Sequence, residues 1–213
     1  MRSFEFARKI TNNQVEDDKA YENAQIPEYQ TKLAAGADFF CAEEVVIPSI
    51  WKTIAKRLVC AITGRRTGIV AVDIPTGEKA IMPFDTNTEI RVDVSESKEL
   101  AKKFAPTLVH TGIKASMEED EVLMLYNRSS NPKRGLVLAN SVGVVDADYY
   151  NNQSNDGEIM FAFYNFMPFD VTIKVGDRIG QGVFQKFLRP EVGLKIKGVE
   201  RTDGLGSTDK KKQ

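Results

Sequence analysis

The feature that most constrains this chain is the rhythm of its second half. From residue 108 onward, short apolar runs alternate with turns rich in Gly, Asn, Asp and Pro. The candidate strands are Leu108–Ala115, Glu121–Tyr126, Leu136–Ala139, Glu158–Asn165, Val171–Lys174, Arg178–Phe187 and Gly193–Val199. Runs this short and this regularly spaced predict a β-barrel or sandwich rather than a helical fold. A length of 213 residues fits one large domain, or one domain carrying an insertion.

The first half is less regular. Ser3 to Lys9 alternates and reads as a strand, and Thr11 to Glu22 is polar and reads as a loop. Ala34-Ala35-Gly36-Ala37-Asp38-Phe39-Phe40 then precedes the strand-like Val45-Val46-Ile47-Pro48. In residues 49–64, Ile50, Ile54, Leu58 and Ile62 recur at every fourth position, with Ser49 placed to cap and Gly64 to end. This predicts an amphipathic helix, whose apolar face needs burial. Strands are expected at Gly68–Ile74, Ala80–Phe84 and Thr88–Val94, and a short helix at Ser97–Phe104. The tail from Arg201 is rich in Gly, Ser and Lys and is expected to be mobile without a ligand.

Composition narrows the chemistry. Lys and Arg total 29 against 30 for Asp and Glu, so the net charge is -1. That balance gives no general attraction to a nucleic-acid backbone or an anionic membrane. Two cysteines, Cys41 and Cys60, cannot build a disulfide framework or a thiolate zinc cage. A single histidine, His110, argues against triad chemistry. No apolar run reaches membrane-spanning length, and the first residues lack a signal peptide's apolar core, so a cytoplasmic location is expected. Catalysis must then rest on carboxylates, backbone amides, Arg, or a metal held by oxygen.

Several stretches can carry such chemistry. Asp38 sits among small residues that let another element or a ligand approach closely; the plainer reading is a turn Asp. Arg128-Ser129-Ser130 follows an apolar strand, and a guanidinium beside two hydroxyls can hold phosphate oxygens. Its plainer reading is a polar strand end with a salt bridge. In residues 140–149, Asn140 offers a donor and an acceptor to a pyrimidine edge, and Gly143 allows a tight hairpin. Asp146 can serve as a base for water, and Tyr149 can pack against a sugar ring. The alternative there is a hairpin with solvated aspartates and a core tyrosine. In Gly176-Asp177-Arg178-Ile179-Gly180-Gln181, Asp177 and Arg178 read as partners of each other or of neighbours, and Gln181 as the functional side chain. The stretch from Arg201 through Gly204, Gly206, Ser207 and Thr208 can cradle phosphates with its amides, without a Walker pattern.

Taken in order, Ala-Gly-x-Asp, Arg-Ser-Ser, Gly-Val-Val-Asp-x-Asp-Tyr, Gly-Asp-Arg-Ile-x-Gln and Arg…Gly-x-Gly-Ser-Thr resemble the five motifs of the trimeric dUTPases. The resemblance covers residues 25–47 and 106–208. It implies a mainly β fold, a jelly-roll-like barrel of the dUTPase type with a small α/β insertion, assembled as a homotrimer with sites between subunits. It implies that dUTP is hydrolysed to dUMP and pyrophosphate, with Asp146 activating water. Asn140, Gly143, Val144 and Val145 would bind uracil, with Met160 also lining the nucleotide, and Tyr149 would pack on deoxyribose. Arg128, Ser129, Ser130 and Gln181 of a second subunit would hold phosphates. Arg201, Leu205, Gly206, Ser207 and Thr208 of a third would close over the nucleotide. The implied cofactor is Mg²⁺, with Asp38 acting through metal-bound water.

The chain departs from the pattern in places. Leu205 stands where the family usually has a stacking aromatic residue. A loop from Tyr150 to Asp156 follows Tyr149 where the family is usually tight. Residues 49–105 read as an inserted element packed on the barrel. It modifies assembly or recruits a protein partner, or it is a neutral decoration of a tolerant loop. The domain reading is residues 1–48 and 106–200 as barrel, 49–105 as insertion and 201–213 as lid. The related dCTP deaminases share the second motif, but Ala162 stands where their catalytic Glu belongs. A non-catalytic nucleotide-sensing scaffold is the third reading, and retention of Asp146 argues for an enzyme.

Overall fold

The computed structural model describes residues 1–11, 14–52, 54–55 and 104–193. The strands in the first part are β1 (Ser3–Phe6), β2 (Lys9–Thr11), β3 (Gln14–Asp17), β4 (Ala37–Phe40) and β5 (Val45–Ile47). Those in the second part are β6 (Thr107–His110), β7 (Ile113–Ser116), β8 (Glu121–Asn127), β9 (Leu136–Leu138), β10 (Gly143–Asp146), β11 (Met160–Asn165), β12 (Val171–Ile173) and β13 (Arg178–Lys186). The fold is mainly β, as expected. A four-stranded sheet runs β10-β8-β13-β4 and a three-stranded sheet runs β6-β11-β9. The pairs β1-β7, β12-β5 and β2-β3 complete the described pairing. Among the described residues, no helix is long and apolar enough to cross a membrane.

The core explains the sheet order. β8 carries Val122, Leu123 and Leu125 buried, so both of its faces are covered, and its backbone pairs with β10 on one edge and β13 on the other. β13 lies beside it and leaves room for rings. A Cβ on Gly180 would sit 1.9 Å from Phe161 Cε1, and one on Gly182 would sit 2.6 Å from Phe39 Cε2. Phe39 and Phe161 fill that space, 5.6 Å apart, with Phe4 edge-on to Phe39 at 5.4 Å. Burial of such rings contributes roughly 1.5–3 kcal/mol each.

Three expectations change. The run Leu108–Ala115 is two strands, because Gly112 adopts a left-handed φ of 65° and redirects the chain. β6 pairs with β11, whereas β7 pairs with β1. The polar stretch after Thr11 is not all loop: β3 pairs with β2, with Lys9 Nζ 3.2 Å from Glu16. All four β3 residues are exposed, so no apolar alternation marked them. Asp38 lies inside β4, not in a turn, and is buried.

The predicted helix does begin at Ile50; residues 50–52 and 54–55 are helical. Ser49 anchors this start to the turn after β11, its N–H donating to Asp170 Oδ1 at 2.9 Å and its hydroxyl to the Met167 carbonyl at 2.6 Å. Trp51 Nε1 donates to the Phe166 carbonyl. Ile54 is exposed, so the expected apolar face is not wholly buried. The rest of this helix, the elements expected at 68–94 and 97–103 and the strand expected at Gly193–Val199 lie outside the described residues.

One buried charge ties the chain's beginning to its later part. Asp156 is fully buried and accepts from Arg8 N at 2.8 Å, Arg8 Nε at 3.0 Å and Lys114 Nζ at 2.8 Å. Burial alone would raise its pKa, but these donors hold it below the ordinary carboxylate range. A depressed folded pKa stabilises the protein above about pH 4 and loses that stabilisation as pH falls through the folded value. Asp156→Asn should therefore cost about 3 kcal/mol at pH 7, since it leaves Lys114 buried without its counter-charge. Urea titrations should show the variant losing less further stability between pH 5 and pH 3 than the parent.

Candidate active site

The β13 register brings one group of expected residues together. Gln181 lies opposite Asp38 of β4 on one side and Tyr126 of β8 on the other. The small residue before Asp38 is used by this contact: a Cβ on Gly36 would meet Gln181 Cβ and Oε1 at 3.2 Å. Asp38 is 2% exposed. Its Oδ1 faces Arg128 Nε at 3.4 Å, and its Oδ2 accepts from Arg178 Nη1 at 3.2 Å. Arg128 Nη1 also donates to Ser130 Oγ at 3.4 Å and to the Arg178 carbonyl at 3.2 Å. Two guanidiniums thus share one carboxylate, which leaves one positive charge beside the exposed hydroxyls of Ser129 and Ser130. Such a turn suits phosphate oxygens, and it is also the salt-bridged strand end of the plainer reading.

One residue of this group, Asn131, escaped the sequence reading, and Arg178 was read only as a partner of Asp177 or of neighbours. Arg178 pairs with Asp38 rather than with Asp177, which instead lies 3.6 Å from Arg134. Asn131 is buried and donates to the Ile179 carbonyl at 2.8 Å and to Asn127 Oδ1 at 2.7 Å, fastening the Arg-Ser-Ser turn to β13. The available signals were their places in the motifs, directly after Ser130 and three residues before Gln181.

The second group lies on β10. Gly143 and Val145 face inward, while Val144 and Asp146 face outward, as the pleat requires. The expected hairpin through Gly143 is corrected: β9 pairs with β11 and β10 pairs with β8, so the chain changes sheets between them. The left-handed turn residue is Ser141, with a φ of 56°. Gly143 opens the strand, where a Cβ would crowd Leu125 Cβ at 3.0 Å and Asn140 Nδ2 at 3.4 Å. Asn140 is exposed just before this crossing. Asp146 lines a concave region with Met117, Asp148, Phe187 and Arg189. Tyr149 is buried and donates to the Glu158 carbonyl at 2.9 Å, two residues before Met160. Met160 opens β11 opposite His110.

The two groups do not meet within one protomer. Asp146 is level with Val122 at one end of β8, and Arg128 follows Asn127 at the other. Six residues of extended strand separate those levels by about 20 Å. Arg201, Leu205, Gly206, Ser207 and Thr208 lie outside the described residues.

Other reactive groups are committed elsewhere. His110 Nδ1 sits 3.1 Å from both Glu158 carboxylate oxygens, and this hydrogen bond raises the imidazole pKa. Burial pushes the Cys41 thiol up to about 11, so it is protonated at neutral pH. Among the described residues, no group of three His, Cys, Asp or Glu side chains is arranged to hold a metal ion.

Comparison with known proteins identifies the family. The family model described as dUTPase matches residues 78–208, beginning inside the segment expected to be an insertion. The chain belongs to the dUTPase family. The deoxyuridine 5'-triphosphate nucleotidohydrolase of Lactococcus lactis subsp. lactis (strain IL1403) is 50% identical over 109 residues, 49% of this chain and 73% of that protein. The enzyme of the same name from Citrobacter koseri is 32% identical over 157 residues, 69% of this chain and 99% of its own. The crystal structure of dUTPase from Streptococcus mutans superposes with a TM-score of 0.53 at 30% identity, covering 89% of this chain and 98% of that one. Within this dUTPase, Ala162 places a methyl on β11 where the deaminase reading requires a carboxylate.

Asp38→Asn in this dUTPase should lower stability by about 2–3 kcal/mol. That is less than breaking a fully buried pair costs, because Arg178 is 42% exposed. The urea midpoint should shift accordingly, and an unchanged midpoint would mean that the two arginines find other partners.

Proposed function

We propose that this dUTPase-family protein hydrolyses dUTP to dUMP and pyrophosphate in a site shared between subunits. The observation that carries the reading is the placement of its motifs: an outward carboxylate at one end of β8 and an arginine–hydroxyl turn at the other. A base must stand within about 3–3.5 Å of the reacting water, which itself meets the phosphorus in line. Across about 20 Å, one protomer cannot bring its own Asp146 and Arg128 to one phosphate. A second copy can bring the phosphate-holding turn to the nucleoside end, and a homotrimer gives three equivalent sites.

Each residue has a part in this mechanism. Asn140 and the Gly143–Val145 backbone meet the uracil edge, with Met160 beside the nucleotide. Tyr149 stands against deoxyribose and leaves no room for a 2′-hydroxyl. Asp146 takes the proton of the attacking water. Arg128, Ser129, Ser130 and Gln181 of a neighbouring subunit hold phosphate oxygens and accept the charge that develops. Arg201, Leu205, Gly206, Ser207 and Thr208 close over the nucleotide, with Leu205 covering the base without stacking. Barrel segments 1–48 and 106–200, an insertion at 49–105 and a lid at 201–213 are the division that accompanies this reading. The insertion is the place for a protein partner. A cytoplasmic location fits a free nucleotide substrate.

Mg²⁺ fits this site only as an ion carried largely by the substrate. Asp38 Oδ2 is taken by Arg178, while Oδ1 is buried without a hydrogen bond. That oxygen also faces Arg128 Nε at 3.4 Å and is sealed from solvent, so Asp38 would reach a metal-bound water only where an arginine gives way, and phosphate oxygens suit most of a hard cation's shell. Bound there, Mg²⁺ would neutralise triphosphate charge.

Pyrophosphate release from each dNTP tests the assignment, and dUTP should be turned over far faster than the others. Asp146→Asn should lower kcat by about 10²- to 10⁴-fold with little change in KM, because an amide cannot take the proton. Turnover near that of the parent would remove Asp146 from its role.

Mixing Asp146→Asn with Arg128→Ala should restore part of the activity, since exchanged subunits assemble some intact sites. No recovery despite demonstrated exchange would show that the two residues do not serve one site from different copies.

A further inference from the structure

The loop after Tyr149 is built as a frame around that residue. The Tyr149 hydroxyl donates to the Glu158 carbonyl at 2.9 Å and accepts from Asn155 Nδ2 at 2.8 Å. The Tyr149 carbonyl accepts from Asn152 Nδ2 at 3.1 Å. Asn152 Nδ2 also reaches Asn155 Oδ1 at 2.7 Å, and Gly157 N reaches the same oxygen at 3.2 Å. Asn155 therefore faces two ways: its oxygen closes the loop, and its nitrogen fixes the phenol. The frame is fastened beneath by Asp156, buried against Arg8 and Lys114, with Lys114 Nζ also donating to Asn151 Oδ1 at 2.6 Å.

We infer that Asn155 is a positioning residue for sugar discrimination: its amide holds the Tyr149 hydroxyl and keeps the ring fixed as the wall against a ribose 2′-hydroxyl. The inference rests on the proposed placement of Tyr149 against deoxyribose. A ring excludes one extra oxygen only while it cannot yield. A phenol held as donor and acceptor at once cannot swing about χ1 without breaking two hydrogen bonds, so these bonds fix where the ring stands, and the surrounding packing fixes its rotation. Asn155 touches neither substrate nor water in this account; its nitrogen acts through the Tyr149 hydroxyl and the Glu158 carbonyl that this hydroxyl meets, and its oxygen holds the loop.

The test is the ratio of kcat/KM for dUTP to that for UTP. Both rates come from one preparation, so an unfolded fraction cancels. Asn155→Ala should lower the ratio about 3- to 10-fold, the span of one hydrogen bond. Tyr149→Phe, which keeps the ring and removes its anchor, should lower it by a similar factor. The double variant should fall no further than either single one. An unchanged ratio in Asn155→Ala, or additive losses in the double variant, would overturn the inference. Tyr149→Ala separates this from the parent reading, since it removes the wall itself. If that variant discriminates as well as the parent protein, Tyr149 is not the sugar wall, and the role of Asn155 falls with it. If it loses discrimination while Asn155→Ala and Tyr149→Phe keep theirs, only the role of Asn155 is refuted.

Discussion

Phe39 and Phe161 occupy the space that side chains at Gly182 and Gly180 would claim. Phe161 of the three-stranded sheet thereby meets the four-stranded sheet at Gly180, within a core that also includes Leu123, Leu125, Leu136 and Ile179. A ring locked against backbone tolerates no slip along the strand, because a shift of one residue would drive a Cβ into it. The register of β13 is thereby fixed against both β4 and β8. Gln181 falls opposite Asp38, and the Arg-Ser-Ser turn lies beside both. The polar end of the sheet is placed by an apolar contact.

Electrostatics then separates the roles of the two ends. At the Arg128 end, positive charge exceeds negative, with the buried Asp38 held between two guanidiniums. At the Asp146 end, the strand presents a carboxylate and the apolar Val144 on one outward face, and the adjoining concavity includes Asp148. In the proposed function the first end would hold the triphosphate and the second the nucleoside, beside a proton acceptor.

Much of this was legible in the sequence. β8, β11 and β13 announce themselves by apolar composition and by the turns that bound them, and Asp38, Arg128, Gln181 and Asp146 stand in readable motifs. What was missed has physical reasons. The β2–β3 pair is exposed and polar, so it leaves no periodic trace. Leu108 to Ala115 looks continuous because both strands are apolar, and only the backbone shows that Gly112 turns the chain. The crossing after Asn140 looks like a hairpin because local turn chemistry does not reveal which sheet each flank joins. Asn131 and Arg178 act through partners distant in sequence, Ile179 and Asp38, and no local pattern names such partners; Asn155 acts on near neighbours inside a loop that carries no apolar periodicity.

The two ends of the site share a consequence for how the protein is made. Asp38 meets Arg178 across 140 residues, and Arg8 meets Asp156 across 148. The pairing of Asp38 cannot close until residue 178 has left the ribosome, nor the support beneath Tyr149 until residue 156 has. Contacts of such long range are slow to find, because loop closure must precede any gain from them. The early strands must wait, with β4 unpaired on its β13 edge. A chain that stops short of residue 156 therefore holds neither cluster, and an elongation pause before residue 178 would prolong the interval in which that edge is open to wrong partners.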